Sequence, residues 1–169
     1  MKTFIWVGIF IVAIVGVIVW GMNSGGGGSD YVIGVIGSNE NVKGNASSTV
    51  VLTEYSDFQC PACRTYYPVI REVMQEFGGQ IALVYGHFPL TSIHANAEFA
   101  ARAAEAAKRQ GKFWEMHDKL FETQNAWSEQ NDPKNIFIGY AADLKLNKDQ
   151  FEKDLASDEV KKAVQEDVD

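Results

Sequence analysis

Residues 49 to 88 read in turn as a strand, a helix and a second strand, and that order limits the chain to folds built on a βαβ unit. TVVLTEYSDF (49–58) is rich in β-branched and aromatic residues, and its near-continuous apolar start predicts a strand buried on both faces. From Pro61 to Phe77, the residues Tyr66, Tyr67, Ile70, Val73, Met74 and Phe77 recur at steps of three and four. They form one apolar helical face, and the glycines at 78 and 79 end it. QIALVYGHF (80–88) then returns as a strand. Such a unit has a right-handed crossover and two parallel strands.

The chain from 95 to 166 is predicted to be mostly helical. ANAEFAARAAEAAKRQ is Ala-rich and closes at Gly111, while KFWEMHDKLFETQ puts Phe113, His117, Leu120 and Phe121 on one face. Asp132 with Pro133, Asn147 with Gln150, and Ser157 followed by two acids each mark a helix start. These helices read as an insertion that covers the sheet.

At the other end, Thr3 to Met22 carries no charge. About 20 residues at 1.5 Å each match the ~30 Å hydrocarbon core of a bilayer. Trp6 and Trp20 lie near the two ends of the run, and Lys2 flanks it. The stretch is longer than the apolar region of a secretory signal and no A-x-A-like site follows it, so 1–22 reads as an uncleaved signal anchor. Everything after Met22 is then exported. Residues 23–48 are a Gly/Ser-rich tether and lead-in, in which NSGGGGSD spans about 16 Å as a flexible coil and YVIGVIG (31–37) reads as a short strand or packing lead-in. The formal net charge of −7 argues against a nucleic-acid partner, which would need clustered Lys and Arg.

Export bears on the only two cysteines, Cys60 and Cys63 in SDFQCPACRTYY, because disulfides persist outside the reducing cytosol. Cys60 falls where the strand turns into the helix, so its sulfur is placed to act as N-cap and accept from the backbone N–H of Ala62 or Cys63. Pro61 at the first helical position loses nothing by lacking an N–H. The positive end of a helix dipole is the setting that lowers thiol pKa values from about 8.5 toward 3.5–7.5. Cys60 is thus the candidate nucleophile, and Cys63, one turn further, the resolving thiol. A purely structural bridge closing so short a loop would remove little unfolded-state entropy. A metal site would need about four ligands, and beyond this pair the soft candidates are His87, His94 and His117.

Glu54 lies six positions before Cys60 on the face of Val50 and Leu52. Buried, its carboxyl would have a raised pKa and could exchange a proton with Cys63; the strand pattern reads equally as a solvated carboxylate at a strand end. His117 reads as a packing residue, His87 as ordering the loop after the second strand, and His94 as the start of a helix.

VVLTEYSDFQCPAC, VYGHFPLTSIHANAEFAARAAEAA and GKFWEMHDKLF, in this order, resemble the DsbA-like thiol:disulfide oxidoreductases of the thioredoxin superfamily, in particular their membrane-anchored bacterial branch. The resemblance runs from about Val42 to the C-terminus. It implies an α/β thioredoxin-like fold over 49–169, with a helical insertion at about 94–166, preceded by one transmembrane helix. It assigns the nucleophile to Cys60, the resolving thiol to Cys63 and the buried acid to Glu54, and it calls for no cofactor and no metal. The partners it implies are client proteins with thiols or disulfides and a membrane redox partner that regenerates the pair. Two departures stand out. The Pro-Ala dipeptide between the cysteines lacks the His of the most oxidising relatives, which predicts a milder oxidant. No Thr-Pro or Val-Pro strand pair follows the helical block, so the family's cis-proline loop and final β-hairpin are missing and the sheet is expected to be incomplete.

The expected protein is therefore a single-pass membrane protein with a thiol:disulfide oxidoreductase domain on the periplasmic or extracellular side. The alternative is a non-catalytic metal-binding module or metallochaperone that uses the same two cysteines as a clip.

Overall fold

The structure is a computed structural model that describes residues 36–37 and 40–169. The expected anchor over 1–22 and the lead-in as far as residue 35 lie outside the described residues. Among the described residues, no helix is long and apolar enough to cross a membrane.

Three strands form one sheet in the order β1-β3-β2: β1 is Asn41–Gly44, β2 is Val51–Ser56 and β3 is Ala82–His87. β2 and β3 run parallel, with Glu54 opposite Tyr85 and Ser56 opposite His87. Between them runs helix α1, Pro61–Phe77. The parallel βαβ unit read from the sequence is therefore present, with α1 bounded as expected. α1 continues through Pro68, whose missing N–H leaves the carbonyl four residues earlier without its usual donor.

β1 was not expected. It pairs antiparallel with β3, Asn41 opposite Tyr85 and Gly44 opposite Ala82. Tertiary contacts hold it: Trp114 donates its indole N–H to Val42 O at 2.9 Å, and Lys43 Nζ lies 5.1 Å from the Trp114 ring centroid. Gly44 ends the strand at φ +90°, where an added Cβ would come within 2.6 Å of the Ile81 carbonyl. A side chain there would be strained and blocked at once.

The expectation that β2 is buried on both faces is corrected. β3, the central strand, is buried along its whole length, whereas β2 lies at the edge and exposes alternate residues. Thr53 and Tyr55 point outward, Tyr55 being 64 % exposed across Gly86, while Leu52, Glu54 and Ser56 face inward. The apolar start of the strand does not report two-sided cover, since Val50 is itself 59 % exposed.

The rest of the described chain is helical: α2 Ala97–Lys108, α3 Phe113–Glu122, α4 Gln124–Trp127, α5 Lys134–Asp143, α6 Lys148–Leu155 and α7 Asp158–Glu166. The alanines of α2 explain its place. Ala100, Ala103, Ala104, Ala106 and Ala107 are fully buried, and their small side chains let α3, α6 and α7 pack closely around one helix. Phe58, Tyr85, Phe121, Trp127, Phe137 and Phe151 fill the space between helices and sheet. Burying each such side chain contributes roughly 1.5–3 kcal/mol. The predicted caps of the last two helices form: Asn147 Oδ1 accepts from Gln150 N at 2.9 Å and Ser157 Oγ from Val160 N at 3.2 Å.

Candidate active site

The turn from β2 into α1 is fixed from several sides. Asp57 Oδ1 accepts from Gln59 N at 2.7 Å, the short local bond by which an aspartate makes a turn. Asp57 O accepts from Cys60 N at 3.1 Å, and Cys60 O then accepts from Arg64 N at 3.1 Å, opening the helix. Gln124 of α4 donates its side-chain amide to Phe58 O at 2.7 Å and Cys60 O at 3.0 Å. The Gln59 side chain reaches the loop beyond, accepting from Asn96 N and donating to Ser128 O, both at 2.7 Å.

Both cysteines are free thiols and half-buried. Cys60 occupies the N-cap of α1 with an extended backbone (φ −69°, ψ 123°), but its side chain makes no cap hydrogen bond. The expected capping by sulfur is thus corrected to position alone. A thiol is a weak acceptor, and Asp57 already supplies the turn with a stronger one. The residue still stands at the positive end of a 17-residue helix.

Cys63 is one turn further and packs against the hydrophobic core. Its thiol has the Ser56 side chain, the Asp57 backbone and Cys60 as neighbours. Burial pushes this thiol above its ordinary value of 9.0, and the neighbouring Cys60 adds to the rise. The bonds from Ser56 and Asp57 offset part of it.

Glu54 sits on the inner face of β2, opposite Tyr85 of β3. Burial raises its carboxyl above the ordinary 4.5, and a hydrogen bond with the Ser56 side chain lowers it in part. Tyr85 is fully buried beside them. Burial pushes its phenol well above 10.0, and the negative charges of Glu54, Cys63 and Asp57 add to this. Cys60, Cys63 and Glu54, named from the sequence, therefore stand around one end of β2.

The histidines are placed apart. His87 is the last residue of β3, inside the strand read from the sequence, and is fully buried with Nε2 at 3.2 Å from Glu105 Oε1. Burial of Glu105 would raise its carboxyl, but bonding and charge from His87, with Lys108 and Asn41, hold it below its ordinary value. His117 lies in the aromatic core on α3, its Nδ1 at 2.8 Å from Asp118 Oδ1. His94 stands in the loop before α2 rather than opening the helix, with Nδ1 at 2.6 Å from Asp57 Oδ2. Among the described residues, no group of three or more His, Cys, Asp or Glu is placed to hold a metal ion.

The sequence reading passed over Ser56 and Asp57, and it read His94 only as a soft metal ligand or a helix start. Ser56 could have been found from the strand's period of two, which puts it on the face of Glu54. The pairing of Asp57 with His94, 37 residues apart, has no local signal.

Residues 38–169 match the family described as thioredoxin. Among curated relatives, the Na(+)/H(+) antiporter NhaA 1 of Salinispora arenicola is 39 % identical over 140 residues, covering 83 % of this chain and 21 % of that protein. The Na(+)/H(+) antiporter NhaA of Herminiimonas arsenicoxydans is 33 % identical over 129 residues, 76 % of this chain and 20 % of that protein. The chain thus spans about a fifth of the length of these relatives. Among solved structures, a thioredoxin-like oxidoreductase from Silicibacter pomeroyi superposes with a TM-score of 0.64 at 25 % identity, covering 78 % of this chain and 72 % of that one. BdbD from Bacillus subtilis gives 0.67 at 20 % identity, covering 76 % and 72 %. The α-DsbA1 of Wolbachia pipientis gives 0.66 at 19 %, covering 79 % and 67 %. With its βαβ unit, its helical block and its match along most of its length, the chain belongs to the thioredoxin family and has the fold of the DsbA-like thiol–disulfide oxidoreductases.

Proposed function

We propose that this chain exchanges disulfides with client proteins through Cys60 and Cys63, as a thiol:disulfide oxidoreductase held at the membrane with its catalytic domain on the periplasmic or extracellular side. The observation that carries the reading is the placement of two free thiols one turn apart at the start of α1, the first at the helix N-cap and the second packed against the core. In the oxidising direction a client thiolate attacks Cys60 of the Cys60–Cys63 bridge, and Cys63 leaves as a thiolate. A second client thiol then resolves the mixed disulfide, and the pair is left reduced. A membrane redox partner reoxidises it. In the other direction the same residues reduce or isomerise client disulfides.

Glu54 serves as the proton partner of Cys63. Its raised carboxyl supports this role, because burial makes the group hold its proton to higher pH than a free carboxyl, which brings it closer to the range in which it can exchange that proton with a thiol. The uncharged run over 3–22 supports the membrane tether. The ion transport named for the antiporter relatives belongs to proteins about five times the length matched, and it forms no part of this proposal.

The test is oxidation of a dithiol peptide and reduction of insulin by the full chain in detergent. Cys60→Ala abolishes both, and Cys63→Ala traps a mixed disulfide at Cys60. Stoichiometric binding of Cu(I) or Zn(II) with neither activity would replace this reading by the metal clip.

A further inference from the structure

The Asp57 carboxylate accepts from Gln59 N at 2.7 Å and Leu90 N at 3.0 Å, and it lies 2.6 Å from His94 Nδ1. A carboxylate that already takes two backbone donors acts as acceptor toward the ring as well, so Nδ1 carries the proton and Nε2 keeps its lone pair. Nε2 has no hydrogen-bond partner among the described residues, yet it is not one of their buried partnerless atoms, which are Asn41 Oδ1, His87 Nδ1 and His117 Nε2. It therefore opens to solvent, in keeping with a side chain 16 % exposed. The carbonyl of the same Asp57 accepts from Cys60 N at 3.1 Å, so one residue holds both Cys60 and His94. An imidazole bonded at one nitrogen to a buried carboxylate and free at the other is the arrangement of a general base.

His94 lines a cleft of about 320 Å³ beside the cysteines. Gln59 and Pro61, the two chain neighbours of Cys60, line it from the turn, Ile93 and His94 from the loop before α2, and Glu129 and Asn131 from the loop after α4. The three segments are locked together. The Gln59 side chain accepts from Asn96 N and donates to Ser128 O, both at 2.7 Å, and Asn96 Nδ2 donates to Ser128 O at 3.1 Å and to Gln130 O at 2.8 Å. The volume falls within the ~300–1,000 Å³ range of ligand sites. Ile93, 71 % exposed, offers an incoming peptide apolar contact at the rim. A cleft so braced binds without first having to order its own walls.

We propose that this cleft receives the client segment bearing the attacking cysteine, and that His94 Nε2 takes the proton of that cysteine's thiol; the proposal rests on the thiol–disulfide reading of the site. The client S–H bond breaks as the Nε2–H bond forms, and the resulting thiolate attacks Cys60 of the oxidised pair. The new sulfur–sulfur bond forms as the Cys60–Cys63 bond breaks, and Cys63 departs with the electron pair. The client sulfur is oxidised and Cys63 reduced. His94, now an imidazolium against the Asp57 carboxylate, gives the proton to water. In the reverse direction the imidazolium protonates the client thiolate as Cys63 displaces it from Cys60.

The gain has a ceiling. A client thiol of ordinary pKa, about 8.5, is only about 3 % thiolate at pH 7, so taking its proton is worth at most about 30-fold in rate. The titratable groups around the cleft are Asp57 and Cys60 in the turn and Glu129 in the loop after α4, and the loop 88–96 carries none besides His94 itself. Above about pH 8.5 the client thiol ionises unaided and the base has nothing left to do.

The test reduces the oxidised full chain, in detergent and across a range of pH, with two probes. One is a dithiol peptide; the other is the same peptide with its attacking cysteine replaced by selenocysteine, whose selenol is ionised at neutral pH and needs no base. Loss of the Cys60–Cys63 bridge is followed by mass spectrometry after acid quenching. His94→Ala is expected to slow the dithiol peptide about tenfold at pH 7, inside the ~30-fold ceiling, and the selenol peptide much less. His94→Asn, whose amide can donate to Asp57 from the place of Nδ1 but supplies no base, is expected to do the same and serves if His94→Ala does not fold. The deficit should close above about pH 8.5. A parental rate with the dithiol peptide, or equal slowing of both probes, would overturn the role of His94 and leave the thiol–disulfide reading standing. A parent chain that exchanges with neither probe would overturn that reading and this proposal with it.

Discussion

Asp57 and His94 meet at 2.6 Å, their side chains 2 % and 16 % exposed, and this contact ties the turn that carries Cys60 to the loop that leaves β3. The same Asp57 carboxylate also accepts from Gln59 N at 2.7 Å and Leu90 N at 3.0 Å. One buried side chain thus joins its own turn to two residues of a loop 33 and 37 positions further on. Asp57→Ala leaves the imidazole and two backbone N–H groups without their acceptor, which is expected to cost about 3–5 kcal/mol. His94→Ala leaves the carboxylate its two backbone donors and is expected to cost about 1–3 kcal/mol. Urea unfolding of the two variants checks the order; equal losses would show that the carboxylate is not the hub.

Glu54 gives a pH dependence with a definite sign. Burial holds its folded carboxyl above the unfolded value near 4.5, with the Ser56 bond working against the rise. A raised carboxyl contributes stability below about pH 4.5, and that stability is lost as pH rises through the folded value. Toward neutral pH the partly buried group is therefore a burden on the fold. Glu54→Gln, which keeps a polar partner for Ser56, is expected to be more stable than the parent near pH 7, with the difference closing toward pH 4. Denaturant midpoints at the two pH values measure this, and a variant less stable at neutral pH would contradict it.

How much of this was legible in the sequence follows from the range over which each force acts. The βαβ unit and the helix caps were readable because periodicity and capping are local: Tyr67, Ile70 and Met74 show their face within a few residues, and Ser157 meets Val160 three residues on. β1 was not readable, since NVKG is four residues long and owes its state to Tyr85 and Trp114, far along the chain. β2 was read as covered on both faces because apolar content reports burial only on average. Its edge position follows from the order β1-β3-β2, which no stretch of 49–58 encodes. At the site, both thiols and Glu54 stand out by residue type. The weak sulfur acceptor at the N-cap and the bond from Asp57 to His94 depend on competition among partners that meet only after folding.

His117 makes the fold sensitive to acid. It is 4 % exposed, with Phe58, Tyr85, Trp114 and Phe121 around its ring at centroid distances of 4.9 to 5.5 Å. Burial lowers its pKa below 6.5, with Lys43 and His87 adding to the fall, while the bond to Asp118 resists it. Its folded pKa lies below the unfolded one, so full stability holds above about pH 6.5 and is lost as pH falls toward the folded value. Asp118, itself lowered from 3.8 by His117 and Lys43 against the opposing effect of burial, acts only at more acidic pH. Urea midpoints are expected to decline from pH 6.5 downward in the parent, and the decline should be smaller in His117→Phe. The same slope in both chains would assign the sensitivity elsewhere.

Cys63 should be a slow thiol. In Cys60→Ala it is the only cysteine left, and the effect of its neighbour is gone, so burial sets its behaviour, offset by Ser56 and the Asp57 backbone. Burial keeps the folded thiol above 9.0. Stability from the neutral thiol is therefore present below about pH 9 and lost as pH rises through the folded value. Since the thiolate is the reacting form, iodoacetamide is expected to modify the native variant at pH 8 more slowly than it modifies glutathione. Limited access would also slow the reaction, but it would leave the inflection of the rate against pH where a free thiol has it. An inflection above pH 9 in the native chain, returning to the free-thiol position in urea, is the expected result. An inflection at or below the free-thiol value before unfolding would mean that the Ser56 and Asp57 bonds outweigh burial, and that Cys63 rather than Cys60 is ready to attack.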